Sequence, residues 1–509
     1  MKAISPDIRS AWATVGHPGE LFIAFWRIAG SWEPADRAVL IRPTPATRQQ
    51  LASAVAIDDG AHAVAAILGT IDAAWPAGDA QRDRIEQAGL VLEAMHAIEY
   101  AYVSLHPRTR VVPPSLGAPP AVPHWLEAGA RWRLRHGSFA EADGRRLIPS
   151  GPFSRHARGR AESAANSLQD HFPILTVAPI ESHEQDRSIS VDMKVIGTDM
   201  MRGVPASRSI GRERIRFIPL AEERGDLAFS TGVRAGQMTL DVKPTVDTAV
   251  RLLQALADGS DIDIAFAPEL TVPGDAEATI REGIAALAGL APRIVLAGSG
   301  LSAEKADCGR AWNEARVFGR GGVLLWRQRK IWPFGMQQSR ALGYGFPDPG
   351  ENGTLMEDIA GHSRITVVDL DGFGRCIVLI CQDLEAHLVV EEIIERYQPD
   401  WILTPVLDPG VKIPGWAHSR AVMLSKRSQA RVLVGSSLTL NHHLKATGSE
   451  PAVGLAVGPA SPTKGPDGKV AVSRAVALVK AEDGPSPRSG ILVWDHAQPT
   501  WMQSSIDAA

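Results

Sequence analysis

Cysteine is scarce in this 509-residue chain, with Cys308, Cys376 and Cys381 the only three. An odd and sparse set cannot build a disulfide framework; it fits a reducing cytosol, where any of the three can be a working thiol. Charge of one sign is missing too. A formal net charge of -4 gives no global attraction to nucleic acid or anionic membrane. No uncharged apolar run approaches the roughly 18 residues of a membrane span, and the N-terminal MKAISPDIRSAWATVG has no continuous apolar signal core. A cytoplasmic protein with no membrane partner is therefore expected. Metal-ligand spacing is also absent: the adjacent His442 and His443 read as a loop feature.

What is there begins with helix. At 509 residues the chain exceeds the size of one core, so two or more domains are expected. Apolar residues recur at three- and four-residue steps through Ile85, Ala88, Leu92, Met95, Ile98, Tyr102 and Leu105, which predicts a helix with one buried face. Shorter helical candidates precede it in GELFIAFWRIAG, ATRQQLASAVA and AHAVAAILGTIDAAW, so residues 1–106 read as a mainly helical domain. Six prolines then fall within residues 107–124, a composition of linker or surface strap. Residues 131–160 carry eight arginines against Glu141 and Asp143. A solvated or interdomain face and a nucleic-acid contact are the two readings of that stretch. Alternation within residues 172–196 predicts a hairpin, and residues 107–212 are taken together as an accessory region.

From residue 213 to 509 the pattern becomes short apolar runs separated by helical segments, which is α/β architecture. Strands are expected at RIRFIPL, DIDIAFAPE, RIVLAGSG, GVLLWRQRK, RITVVDL, RCIVLIC, DWILTPV and ARVLVGSS, with LAVGPA, KVAVSRAVALVK and GILVW following. Folds of this class build their sites at the carboxyl ends of strands. Three ionisable groups stand there: Glu269 ends IDIAFAPEL, Lys330 follows GVLLWRQR, and Cys381 follows RCIVLI. Singly, each has an ordinary structural explanation. Together they supply what acyl transfer through a thioester needs, because a free thiol is mostly protonated at neutral pH and requires a base and a cationic neighbour.

Over about residues 213–496 the chain resembles the nitrilase, or carbon-nitrogen hydrolase, superfamily. FAPELTVPG is similar to its glutamate motif, RQRKIWPFG to its lysine motif and GRCIVLICQDLE to its cysteine motif, in the family's order. The resemblance implies a four-layer α-β-β-α sandwich and a catalytic triad of Glu269 as general base, Lys330 as oxyanion stabiliser and Cys381 as nucleophile. The backbone N–H of Gln382, at the start of a helix, would assist at the oxyanion. No cofactor and no metal are required. The implied activity is hydrolysis of a small-molecule amide or nitrile, amidase more than nitrilase, in a homodimer or larger homo-oligomer. An alternative is a component of a multi-protein assembly whose unrecognised N-terminal domain binds a protein or nucleic-acid partner. The family's second glutamate has no counterpart directly after the lysine motif; Glu351 and Glu357 are the nearest candidates. The segment from Met336 to Ser363, rich in Gly and Pro, is expected to shape the substrate pocket.

Overall fold

A computed structural model describes residues 6–33, 41–76, 78, 81–105, 122–151, 168–184, 187–197, 212–257, 261–351, 353–385, 388–444, 452–460, 463–464, 470–471, 474–482, 488–495 and 498–504. It divides into two compact units, Met1–Glu181 with Met193–Val195, and Ser182–Asp192 with Ile196–Ala509.

In the first unit the described helices are α1 (Pro6–Trp12), α2 (Pro18–Gly30), α3 (Pro45–Val55), α4 (Gly60–Ala74), α5 (Gln81–Ala101) and α6 (His124–His136), of which α2 to α5 are those expected from the sequence. Their starts are locally encoded. Pro18 and Pro45 open α2 and α3, where a missing N–H costs nothing, and Asp59 caps α4 by accepting from the His62 N–H. The stripe read on α5 is buried at Ala88, Leu92, Met95, Ile98 and Tyr102. Each large apolar side chain so placed contributes roughly 1.5–3 kcal/mol. The unit continues past residue 106 to include α6 and a three-stranded antiparallel sheet of β1 (Ala140–Ala142), β2 (Arg145–Pro149) and β3 (Leu175–Pro179). Glu99 on α5 is buried and accepts the backbone N–H groups of Ile174 and Leu175, pinning β3 to the helix. Two members of the arginine stretch are drawn into packing: Arg146 is buried 3.6 Å from Glu141, and Arg133 stacks over Phe139. Arg155, Arg158, Arg160 and most of the proline-rich strap lie outside the described residues. The predicted hairpin is shifted: β3 joins β2, and β4 (Glu181–Glu184) pairs with β5 (Arg187–Ile196) in a different sheet.

The second unit adds β6 (Arg214–Phe217), β7 (Leu227–Arg234), β8 (Gln237–Pro244), α7 (Thr248–Leu256), β9 (Ile264–Phe266), α8 (Glu277–Ala286), β10 (Ile294–Lys305), β11 (Ala311–Gly319), β12 (Leu324–Arg329) and β13 (Gly335–Gln337). There follow α9 (Gln338–Gly343), β14 (Thr354–Glu357), β15 (Arg364–Leu370), β16 (Gly374–Val378), α10 (Leu388–Tyr397), β17 (Trp401–Val406), α11 (Trp416–Ser428), β18 (Arg431–Ser436) and β19 (Gly454–Pro459). The last strands are β20 (Thr463–Lys464), β21 (Val470–Ala471), β22 (Arg474–Val479), β23 (Ala481–Glu482), β24 (Arg488–Ser489), β25 (Ile491–Asp495) and β26 (Thr500–Ser504).

Two large sheets result, in the orders β12-β11-β10-β9-β6-β25-β26 and β22-β19-β18-β17-β16-β15-β5-β4. Each has three parallel strands at its centre, β6, β9 and β10 in one and β16, β17 and β18 in the other. The strands β16, β17 and β18 are buried along their whole length, which is why their sequences are mostly apolar without strict alternation. The sheets pack face to face. Phe217 of β6 and Phe266 of β9 press on Gly435 of β18, and Phe217 also on Gly454 of β19; a Cβ at either glycine would come within 2.5 Å of a ring carbon. Helices α7 and α8 cover the outer face of the first sheet through a core that includes Leu252, Ile280, Ile284 and Phe318. Helix α11 packs on β18 and β19 outside the second sheet, with α10 beside it. The unit is thus the expected four-layer α-β-β-α sandwich. A smaller sheet, β13-β14-β8-β7, stands apart from both.

Candidate active site

Each ionisable residue read from the sequence sits beyond a strand of the sandwich. Glu269 lies just past β9, Lys330 directly after β12, and Cys381 past β16, so one large sheet delivers the acid and the amine and the other delivers the thiol. Sharp turns aim them. Leu270 and Cys381 have φ of 57 and 47, a left-handed conformation costly for side-chain-bearing residues and common where backbone is held at a site. The Glu269 turn rests against Gly298, itself at φ +74, where a Cβ would meet the Pro268 carbonyl at 2.2 Å. The turn then crosses to the other sheet: the Glu269 N–H donates to the Val406 carbonyl, and the Leu407 N–H donates to Glu269 Oε2 at 2.9 Å.

The ammonium of Lys330 is buried between two carboxylates, 2.7 Å from Glu269 Oε1 and 2.6 Å from Glu357 Oε2. Asn313, buried on β11, donates to both, at 2.9 Å to Glu269 and 3.0 Å to Glu357. Of the two glutamates near in sequence, Glu357 is thus the one beside the Lys330 ammonium, whereas Glu351 lies exposed in a turn. It arrives on β14, which pairs in parallel with β8, and the Phe334 N–H donates to it. Burial pulls the Lys330 pKa down, but Glu269 and Glu357 outweigh that and hold it well above its ordinary value. Burial pushes Glu269 up, with Glu357 adding to the rise and Lys330 opposing it. Burial also raises the Cys381 thiol well above its ordinary range, joined by Glu269 and opposed by Lys330. The resting thiol is therefore protonated, with the Glu269 carboxylate placed to accept from it.

Asp383, two residues past the thiol, is fully buried. Its carboxylate accepts the N–H groups of Ile331 at 3.0 Å, Trp332 at 3.1 Å and Ile380 at 3.2 Å, tying the chain after Lys330 to the chain before Cys381. Burial raises its pKa to about 7, against the opposing pull of these N–H groups and Lys330. Arg187 braces the same loop by donating to the carbonyls of Ile331 at 2.7 Å and His362 at 2.5 Å. Gln382 lines the cavity, but the segment it begins is a single 3-10 turn, Cys381–Leu384, and helix α10 starts only at Leu388. The expected helix start at the thiol is thus corrected to one turn, because Asp383 folds back on the Ile380 N–H.

Glu269, Lys330, Glu357 and Cys381 all face one cavity of about 160 Å³. The small sheet supplies apolar lining through Phe229, Leu240, Val242, Met336 and Leu355. Arg340, Glu385 and Asp408 are its other charged residues. The remaining cysteines lie elsewhere: Cys376 is buried on β16 and Cys308 is exposed. His442 and His443 belong to a 3-10 turn, Thr439–His443, and the His442 ring bonds the Glu222 carbonyl. No helix among the described residues is long and apolar enough to cross a membrane.

No family model and no curated protein matches the chain. Among solved structures it is similar to Saccharomyces cerevisiae Nit3, a member of branch 10 of the nitrilase superfamily, at 15% identity and a TM-score of 0.34, covering 57% of this chain and 94% of that one. It is similar also to an amidase from Nesterenkonia sp. at 16% identity and a TM-score of 0.30, covering 56% and 91%. A cysteine-to-alanine variant of the Nesterenkonia sp. AN1 amidase in complex with butyramide matches at 16% identity and a TM-score of 0.31, covering 56% and 91%.

Proposed function

We propose that the second unit is a thiol-dependent carbon-nitrogen hydrolase of the nitrilase-superfamily kind, acting on amides, with Cys381 as nucleophile, Glu269 as general base and Lys330 as the cation at the oxyanion. The observation that carries the reading is a thiol facing a cavity beside one ammonium that two carboxylates share. Moving the thiol proton to Glu269 leaves the net charge of the cluster unchanged, so a thiolate forms beside Lys330 without adding charge to a buried site.

The sulfur attacks the carbonyl carbon as its proton passes to Glu269. The carbonyl oxygen takes the negative charge next to Lys330 and the Gln382 N–H. The carbon-nitrogen bond then breaks, and Glu269 returns the proton to the leaving nitrogen, which departs as ammonia or an amine. In the second half Glu269 takes a proton from water, the hydroxide attacks the thioester, and the acid leaves as the thiol is re-protonated. Glu357 does not touch the reacting atoms in this scheme. It holds the ammonium in place and, with Asn313, keeps it from pairing with Glu269 alone.

The test is ammonia release from a panel of primary amides by the wild-type protein and by Cys381→Ala. Release that disappears in the variant is expected. Release that persists in Cys381→Ala, or no release from any amide, contradicts the reading.

A further inference from the structure

The charged end of the cavity accounts for the reacting group and leaves the rest of the space to whatever the amide carries. That space is enclosed largely by a feature outside the sandwich. Strands β7 and β8 form a hairpin of eight paired positions that brings Phe229, Leu240 and Val242 to the cavity, and β13 and β14 extend the same sheet with Met336 and Leu355. These side chains belong to one apolar cluster, with the Phe346 ring tilted against Phe229 at 5.4 Å between centroids. A fixed apolar wall next to a reacting carbonyl favours substrates that bury apolar surface against it.

The remaining charged groups are engaged with one another. Arg340 sits 3.6 Å from Asp408 and over the Phe334 ring, Asp408 accepts from the Trp416 indole at 2.8 Å, and Glu385 accepts from the Gln382 amide at 2.5 Å. A substrate carboxylate would meet two acidic residues for one arginine that already has a partner. Size sets the other limit. A dry apolar cavity of about 150 Å³ accommodates one benzene-sized ring, and this cavity, its charged end included, measures about 160 Å³, so the acyl group is at most of that size.

We infer that the small sheet is the acyl-binding wall and that the substrate is the primary amide of an uncharged apolar acyl group, about a six-carbon chain or one ring. The inference rests on the hydrolase reading for the word substrate, but the binding it requires is independent of turnover. Each methylene buried against the wall strengthens binding by about fourfold, so hexanamide gains on the order of a hundredfold over acetamide.

Two measurements test this together. The first is kcat/KM for acetamide, butyramide, hexanamide, phenylacetamide and succinamate in wild type, Phe229→Ala and Leu240→Trp. The second is calorimetric binding of acetamide, hexanamide and succinamate to Cys381→Ala. A rising series to hexanamide or phenylacetamide, flattened in Phe229→Ala and cut back for the largest amides in Leu240→Trp, is the expected result. Hexanamide binding to Cys381→Ala with no turnover by wild type upholds the apolar wall and contradicts the hydrolase reading. Cys381-dependent turnover that favours acetamide, or that favours succinamate and so gives Arg340 to a substrate carboxylate, overturns the inference while leaving the hydrolase reading intact. Absence of hexanamide binding overturns it as well.

Discussion

Cys376 and Cys381 stand on one strand and just past its end, and burial pushes both thiols well above their ordinary range. Their surroundings differ. Around Cys376 every charge is packed into the core: Arg431 is 2.8 Å from Glu213 and stacks at 3.5 Å on Trp401, Arg375 binds Asp369 at 2.6 Å, and Asp400 accepts the Arg375 N–H at 2.7 Å. Around Cys381 one ammonium serves two carboxylates and the group faces a cavity. Burial and a shifted pKa thus do not by themselves mark a nucleophile. What separates the two is open space: the Cys381 cluster faces a cavity in which a substrate and a developing oxyanion could be received, whereas the charges around Cys376 meet only one another and the core.

The sharpest way to break the comparison is to remove the cation from each region. Lys330→Met is expected to lower kcat by about a hundred- to a thousandfold, as loss of an oxyanion partner does. A steady-state rate within tenfold of wild type would erase the distinction between the regions. Arg431→Met leaves Glu213 buried without that partner and is expected to cost about 3 to 5 kcal/mol in urea unfolding, while kcat per folded molecule stays within a few-fold. A lost kcat with unchanged stability would reverse the roles. A smaller effect comes from Asp383, which touches neither the thiol nor the ammonium but spaces their chains. Asp383→Asn sets an amide NH2 against backbone donors, and kcat is expected to fall by up to about a hundredfold with little change in KM. Asp383→Glu should recover part of it. An unchanged kcat in Asp383→Asn would remove the positioning role.

The smallest expected effect concerns a half-buried carboxyl away from the cavity. Glu222 accepts the Leu438 N–H, and burial raises its pKa from 4.5 to about 8. The folded state therefore holds this proton more tightly than the unfolded chain. The resulting stabilisation is complete below 4.5 and is lost as pH rises through about 8. Melting temperature followed across that window should fall in wild type and fall less in Glu222→Gln; equal slopes would contradict the assignment.

The difference between the two regions also marks what the sequence could reveal. Glu269, Lys330 and Cys381 were legible because each ends an apolar strand, and a polar group delivered by a buried strand is visible in a one-dimensional pattern. The sandwich was legible for the same reason, since β16, β17 and β18 are short, mostly apolar runs. Glu357 could be named only as one of two candidates, because its place beside Lys330 depends on β14 pairing with β8, which is remote in sequence. The β7–β8 hairpin carried little signal: β7 is exposed along most of its length and so lacks a hydrophobic period. Its one local mark is Ala235-Gly236, both at positive φ as a tight hairpin turn requires. Asp383 had no legible role in the sequence, since its partners are backbone N–H groups and no side-chain pattern announces them.

The central claim is that one thiol of the three is acylated. Intact-mass measurement after rapid quenching from an amide substrate, followed by peptide mapping, reads it directly. The account predicts a single acyl adduct on the peptide containing Cys381, absent from Cys381→Ala and retained in Cys376→Ala. An adduct on Cys376 or Cys308, or turnover with no thiol adduct under conditions that trap a thioester, would contradict it.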